Sequence, residues 1–137
     1  PNVHTVIPDY VEFSIDARHE KAEVIEQVVE VIKNIPKEIV GCTTDYEVAW
    51  TRDTVYFDEQ LVNYVQESVD ELGYSNQRIN SGAGHDAQFV SYMIPTTMIF
   101  VPSKDGHSHC EPEFTSTEQC TQGASVLLNA ILKRDAQ

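Results

Sequence analysis

Two short stretches carry the side chains that could do chemistry. The first is Ser81-Gly-Ala-Gly-His-Asp-Ala87. Glycines let the backbone take φ above zero and approach a ligand closely, and a helix starting there aims N–H groups at an anion or polar substrate. A histidine at that point can donate a hydrogen bond to a carbonyl or a developing oxyanion. The plainer alternative is a tight turn with a surface histidine, since a lone glycine-rich turn is a weak signal. The second stretch is Ser103-Lys-Asp-Gly-His107-Ser-His109-Cys-Glu-Pro-Glu113. Its H-x-H pair can set two imidazoles on one side of an extended chain, which suits a metal. A metal needs three or four ligands, so Asp105, His107, His109 and Glu113 suffice only if the loop folds back on itself. A polar surface loop with unrelated histidines is the alternative.

Other reactive types carry less. Cys110 beside His109 forms no recognisable Cys–His signature. His4 and His19 read as structural or solvated, and Trp50 with Tyr46 reads as core. Cys42, Cys110 and Cys120 are odd in number and form no CxxC pair, which disfavours a disulfide framework and fits a reduced, cytoplasmic setting.

The elements that must position these groups alternate in period. Val11–Ala17 places Val11, Phe13 and Ile15 on one face of a half-buried strand. Residues 20–34 place Val24, Ile25, Val28, Val29 and Ile32 at helical spacing, with Pro36 as a stop. Thr43–Trp50 alternates again. Asp58 is an expected N-cap for a helix carrying Leu61, Val65, Val69 and Leu72, with Gly73 just past its end. A short helix follows the glycine-rich turn to about Met93, and Pro95 breaks it. Thr96–Val101 is a continuous apolar run, expected to be a strand covered on both faces. The loop after it lies beyond a strand's carboxyl end, where α/β proteins usually bind ligands. Ser116-Thr-Glu-Gln119 is a capping-box pattern, and the helix it opens is expected to bury Cys120, Ala124, Leu127, Leu128 and Ile131.

Composition excludes some partners. The 137 residues carry 22 acidic against 9 basic side chains, a net charge of −13, which repels phosphate backbones and anionic lipid heads. Neither nucleic acid nor a membrane surface is an expected partner, although an acidic surface also serves solubility alone. No apolar run approaches the roughly 20 residues of a membrane span. Pro1–Tyr10 has neither the basic start nor the apolar stretch of a signal peptide.

Three segments in order, Ser-Gly-Ala-Gly-His-Asp-Ala (81–87), Ile-Phe-Val-Pro-Ser-Lys-Asp-Gly (99–106) and Ser-His (108–109) with Glu113-Phe-Thr115, closely resemble the C-terminal catalytic segments of metal-dependent carbamoyl hydrolases. These relatives are N-carbamoyl-L-amino-acid hydrolase, allantoate amidohydrolase and β-ureidopropionase, within the aminoacylase and carboxypeptidase-like metallopeptidase superfamily. Val6-Ile-Pro8 and Val11-Glu-Phe-Ser-Ile-Asp16-Ala-Arg18-His19 resemble the family's lid domain, so the likeness covers essentially the whole chain.

The resemblance implies an α/β protein. Residues 1–55 would be the second half of a lid and dimerisation domain, a ferredoxin-like half of antiparallel strands plus a helix. Residues 56–137 would be the C-terminal part of the catalytic domain. It further implies two divalent ions, Zn or Mn, in the full-length parent, a homodimer through the lid, and a small N-carbamoyl or ureido carboxylate as substrate. His109 matches the last metal ligand, His85 with the Gly84 backbone a substrate-contacting position near the scissile group, and Arg18 the arginine that grips the substrate carboxylate.

The chain departs from the family at Thr5, where asparagine is usual, at Asp9, where glycine is usual, and at His107 and Cys110-Glu111. Those changes bear on the substrate, and they demote His107 as a ligand. No upstream H-x-D motif or Glu-Glu pair occurs in the chain, so it is expected to hold no ion tightly and to be inactive alone. Two rivals stand beside this reading: an aminoacylase or dipeptidase of the same superfamily, and a non-catalytic interaction module derived from it. Apolar helix faces and an unpaired strand edge would also favour self-association.

Overall fold

A computed structural model describes residues 3–136; Pro1 and Asn2, at the head of the lid-like stretch, and Gln137 lie outside the described residues. The chain divides into two compact units, Pro1–Thr54 and Val55–Gln137.

In the first unit, α1 runs Ala22–Lys33. Val24, Ile25, Val28, Val29 and Ile32 form its half-buried stripe, as their spacing predicts. Lys33 pairs with Glu30 at 2.7 Å in the last turn, and Asn34 ends the helix by donating from its backbone N–H to the Glu30 carbonyl. A small hairpin follows, β1 (Glu38–Ile39) against β2 (Cys42–Thr43), antiparallel with Ile39 opposite Cys42. Val40 and Gly41 both take positive φ, 51° and 78°, the pattern of a type I′ turn, which suits the twist of paired strands. Alternation alone did not reveal this hairpin; the Val40-Gly41 dipeptide was its only local sign.

The two strands expected at Val11–Ala17 and Thr43–Trp50 do not form beyond Thr43. A strand satisfies its N–H and C=O groups only through a neighbour, and among the described residues Val11–Ala17 has none and Thr43–Trp50 has one only at its first residues. The faces predicted to be inward are exposed, with Phe13 at 77% and Val48 at 59%. Trp50 is likewise not core: it is 66% exposed, with the Arg52 guanidinium 5.5 Å from its ring.

In the second unit, α2 spans Glu59–Glu71. Its N-cap Asp58 accepts the Leu61 N–H at 2.9 Å. Gly73 follows in the left-handed region at φ 69°. The Tyr74 N–H reaches the Val69 carbonyl and the Gly73 N–H that of Asp70, which is a Schellman closure. Next comes α3, Asp86–Ser91, and a single 3-10 turn at Lys104–Gly106. The longest helix, α4, is Thr117–Asp135, opened by the predicted capping box between Ser116 and Gln119.

The core lies between α2 and α4. Tyr64 and Ser68 on α2 and Val126 and Ala130 on α4 are buried. Ser68 donates to the Tyr64 carbonyl at 2.7 Å, so its buried hydroxyl costs little. Lys133 reaches Glu71 at 2.6 Å and Glu67 at 3.7 Å, tying the end of α4 to α2.

The stripe expected to be buried on α4 is on the wrong face. Leu127, Leu128 and Ile131 are each more than half exposed, and Cys120 and Ala124 are exposed with them. Small residues decide the matter: Gly123, Val126 and Ala130 let α4 approach its neighbours closely, which bulky leucines at those places would prevent. A Cβ on Gly123 would fall 2.5 Å from Val101 Cγ1.

The run Thr96–Val101 forms no assigned strand. Thr96–Ile99 are half-buried, and Phe100 and Val101 are 46% and 39% exposed, so the segment is not covered on both faces. The Thr96 carbonyl still accepts the Asp58 N–H at 3.0 Å, linking it to the start of α2. No described helix is long and apolar enough to cross a membrane.

Candidate functional site

His85 is the N-cap residue of α3, held in extended backbone geometry. Its Nε2 lies 2.7 Å from the Ser81 hydroxyl, and that hydroxyl also accepts the Ala83 N–H at 3.2 Å. The ring meets Phe100 edge-on, centroids 5.5 Å apart and planes at 66°. Ser81 in the turn therefore meets the imidazole at a nitrogen and Phe100 from the 96–101 segment meets its ring, which is half-buried. The glycine beside it acts differently from expectation. Gly84 takes no left-handed φ, and a Cβ there would touch only the Gln88 side chain at 3.9 Å. Its value is openness next to His85, not a special backbone shape.

The loop after Val101 does fold back. The Lys104 N–H donates to the Phe114 carbonyl at 2.8 Å, Thr115 Oγ1 donates to the Pro102 carbonyl, and Ser103 Oγ donates to that of His107. Three residues with positive φ shape it: Asp105 at 56°, Gly106 at 71° and His109 at 56°. A positive φ at His109 carries a steric cost for any side-chain-bearing residue. Glu113 holds it there, accepting the His109 N–H at 2.7 Å. The His109 side chain is exposed.

Folding back does not bring four ligands together. Among the described residues no three His, Cys, Asp or Glu side chains converge as a metal would require. An open depression where this loop meets α4 is lined by Ser103, Lys104, Phe114, Ser116 and Gln119, and neither His85 nor His109 lines it. Cys42, Cys110 and Cys120 are free and exposed.

In the first unit, Arg18 forms a two-point pair with Asp16, Nε to Oδ1 at 2.9 Å and Nη2 to Oδ2 at 2.5 Å. Both side chains are more than half exposed. The hydrogen bond from Arg18, helped by its charge, holds the Asp16 carboxyl below its ordinary pKa, and the same contact raises that of Arg18. His19 is structural, its Nδ1 accepting the Lys21 N–H just ahead of α1.

Residues 6–133 match the family described as Peptidase family M20/M25/M40. The chain belongs to that family. Among its relatives, allantoate amidohydrolase of Bacillus subtilis is 39% identical over 97% of this chain and 33% of its own length. N-carbamoyl-L-amino-acid amidohydrolase of Rhizobium meliloti is 38% identical over 97% of the chain and 33% of its own. A crystal structure of an amidase of the hydantoinase/carbamoylase family from Burkholderia multivorans superposes with a TM-score of 0.59 at 44% identity, covering 61% of this chain and 20% of that one. This member of the M20/M25/M40 family thus spans about a third of the length of the curated relatives it matches.

Sequence reasoning singled out His85, Gly84, His109 and Arg18 but did not assign the groups that hold them, although Ser81 and Glu113 stand in the same motifs. Ser81, Phe100, Glu113 and Asp16 all touch one of those residues. For Ser81 and Asp16 a signal existed: they lie four and two positions before their partners, within side-chain reach once the local backbone is known.

Proposed function

We propose that the chain is part of an amidohydrolase that cleaves a linear carbamoyl or ureido C–N bond in a small carboxylate such as an N-carbamoyl amino acid or allantoate. The observation that carries this reading is 38–39% identity along nearly the whole chain to relatives named for both substrates. Both substrates join a ureido nitrogen to a carboxylate, so a site for either needs an oxyanion donor and a carboxylate fork.

His85 supplies the donor, stabilising charge on the carbamoyl oxygen as the tetrahedral intermediate forms. Arg18 supplies the fork. Its present partner Asp16 is exposed, and exchange of one exposed carboxylate for another is inexpensive. Residues 1–55 serve as half of a lid through which two subunits pair, residues 56–137 as the end of the catalytic domain, and the enzyme works in the cytoplasm.

Two divalent ions, Zn or Mn, belong to this reading by resemblance. The described residues do not by themselves fit them, since no three ligand-type side chains converge, and no step of the reaction is built on them. His109 is proposed as a single ligand, supported by its exposed ring and the strained backbone that presents it. The chain alone is then inactive.

The test joins this chain to a family polypeptide supplying the missing two thirds. Ammonia release is measured from an N-carbamoyl amino acid and from allantoate, beside deacylation of the N-acetyl amino acid. Ureido substrates should be preferred, and His85→Ala should lower kcat by about 10²- to 10³-fold, the usual cost of an oxyanion donor. A preference for the N-acetyl compound would assign the protein to aminoacylases instead. Micromolar 1:1 zinc binding by the 137-residue chain in titration calorimetry would overturn the assignment of His109 as a lone ligand.

A further inference from the structure

The contact between Ser81 and His85 bears on which ring nitrogen carries the proton, since either the hydroxyl or an Nε2–H could donate across it. A neutral imidazole has one N–H donor and one bare acceptor nitrogen, and the tautomer is chosen by whatever the ring nitrogens bond. Nε2 lies 2.7 Å from Ser81 Oγ. That oxygen is not an unbiased partner, because it already accepts the Ala83 N–H at 3.2 Å. An oxygen that accepts one hydrogen bond becomes the better donor in the next, since chained bonds polarise one another. A second donation into the same oxygen, from an Nε2–H, would fill both of its acceptor positions and leave the exposed hydroxyl proton to water, whereas donation to Nε2 pairs that proton within the protein. Phe100 constrains the ring further, meeting it edge-on at 5.5 Å and so opposing a ring flip that would exchange the nitrogens.

We propose that Ser81 is the positioning residue of His85: its hydroxyl donates to Nε2, holding the neutral ring in the tautomer protonated at Nδ1, so that Nδ1–H is the ring's hydrogen-bond donor. The tautomer is a property of the turn. Its catalytic meaning rests on the reading above, in which His85 donates to the carbamoyl oxygen. Under that reading the oxyanion is met by Nδ1–H, and Ser81 acts on the reaction only through the ring.

The experiment is long-range ¹H–¹⁵N correlation on the ¹⁵N-labelled 137-residue chain, at a pH where the ring is neutral. The expected wild-type pattern is a protonated Nδ1 and a bare Nε2. Ser81→Ala should move the tautomer ratio about two- to tenfold toward Nε2–H, the size of one net hydrogen bond, and Ser81→Thr should restore it. A protonated Nε2 in the wild type overturns the proposal, whatever the variants do. So does a ratio that Ser81→Ala leaves unchanged while the backbone amide spectrum stays native. In the joined enzyme, Ser81→Ala should lower kcat for the N-carbamoyl substrate while KM holds. If the tautomer shifts as stated but kcat does not fall, the assignment of His85 to the oxyanion is what fails.

Discussion

Pro1–Thr54 and Val55–Gln137 carry sequence patterns of similar strength and reach different degrees of burial. The second unit holds every buried residue described, Tyr64, Ser68, Val126 and Ala130, between two capped helices. In the first unit no described residue is buried and the stripe of α1 is half-buried, while Val11, Phe13 and Ile15 stand in solvent. The difference follows from how each kind of element satisfies its backbone. Helices bond internally and need a partner only for one face, so a pair of them can make a core. Strands depend on a neighbour for every bond, and within the first unit the described chain pairs only Glu38–Ile39 with Cys42–Thr43.

The largest expected effect tests that contrast directly. Tyr64→Ala should destabilise the second unit by about 3 kcal/mol, the usual cost of emptying an aromatic core position. Phe13→Ala, at a side chain 77% exposed, should stay within about 0.5 kcal/mol. Denaturant melts of the two variants check this, and equal losses would erase the distinction between the units.

Close helix approach comes next. Gly123→Ala gains about 1 kcal/mol of helix propensity but forces a Cβ into the space of Val101 Cγ1, an overpacking cost of about 1–3 kcal/mol. The net should be a loss of about 1 kcal/mol, read by thermal melting, with α2 and α4 losing amide protection together. A stabilised variant would mean that α4 does not sit on Val101.

In the first unit the hairpin can be strengthened. Val40 is a β-branched residue at φ 51°, a conformation that asparagine tolerates far better. Val40→Asn should stabilise the hairpin by about 1 kcal/mol, seen as slower exchange of the Thr44 N–H, which donates to the Lys37 carbonyl at 2.9 Å.

The smallest effect is the titration of Asp16. Its folded-state carboxyl is held below 3.8, first by the hydrogen bond from Arg18. The pair is therefore fully formed above the ordinary carboxylate range and is lost as pH falls through the lowered value. A ¹³C titration of the Asp16 carboxyl should give a midpoint under 3.8, and Arg18→Gln should return it toward the ordinary value. A midpoint unmoved by that substitution would remove Asp16 as the partner of the fork.

Much of the local structure was legible before any fold was known. Asp58 as cap, Gly73 at the close of α2, and the Ser116–Gln119 capping box depend on residues no more than a few positions apart, and all three form as their types dictate. Recognition of the family rested likewise on short motifs in order, and the match to residues 6–133 agrees with it. The amphipathic stripe of α4 misled for a physical reason. Leu127, Leu128 and Ile131 are the more hydrophobic face, yet α2 packs on the smaller residues because those permit close approach. Hydrophobicity says that a helix has a face to bury, and shape complementarity chooses which face its neighbour takes.

Sequence by itself determined where the helices start and stop, which histidines and arginine invite chemistry, and which family the chain joins, because those are written in residue types at short spacing. Tertiary structure alone decided that Phe100 meets the His85 ring and which side of α4 meets α2, and the folded loop fixed that Ser81 reaches His85 and Glu113 braces His109. Those outcomes turn on distances of a few ångströms between groups whose approach is set by the folded backbone, and residue order carries no such distances.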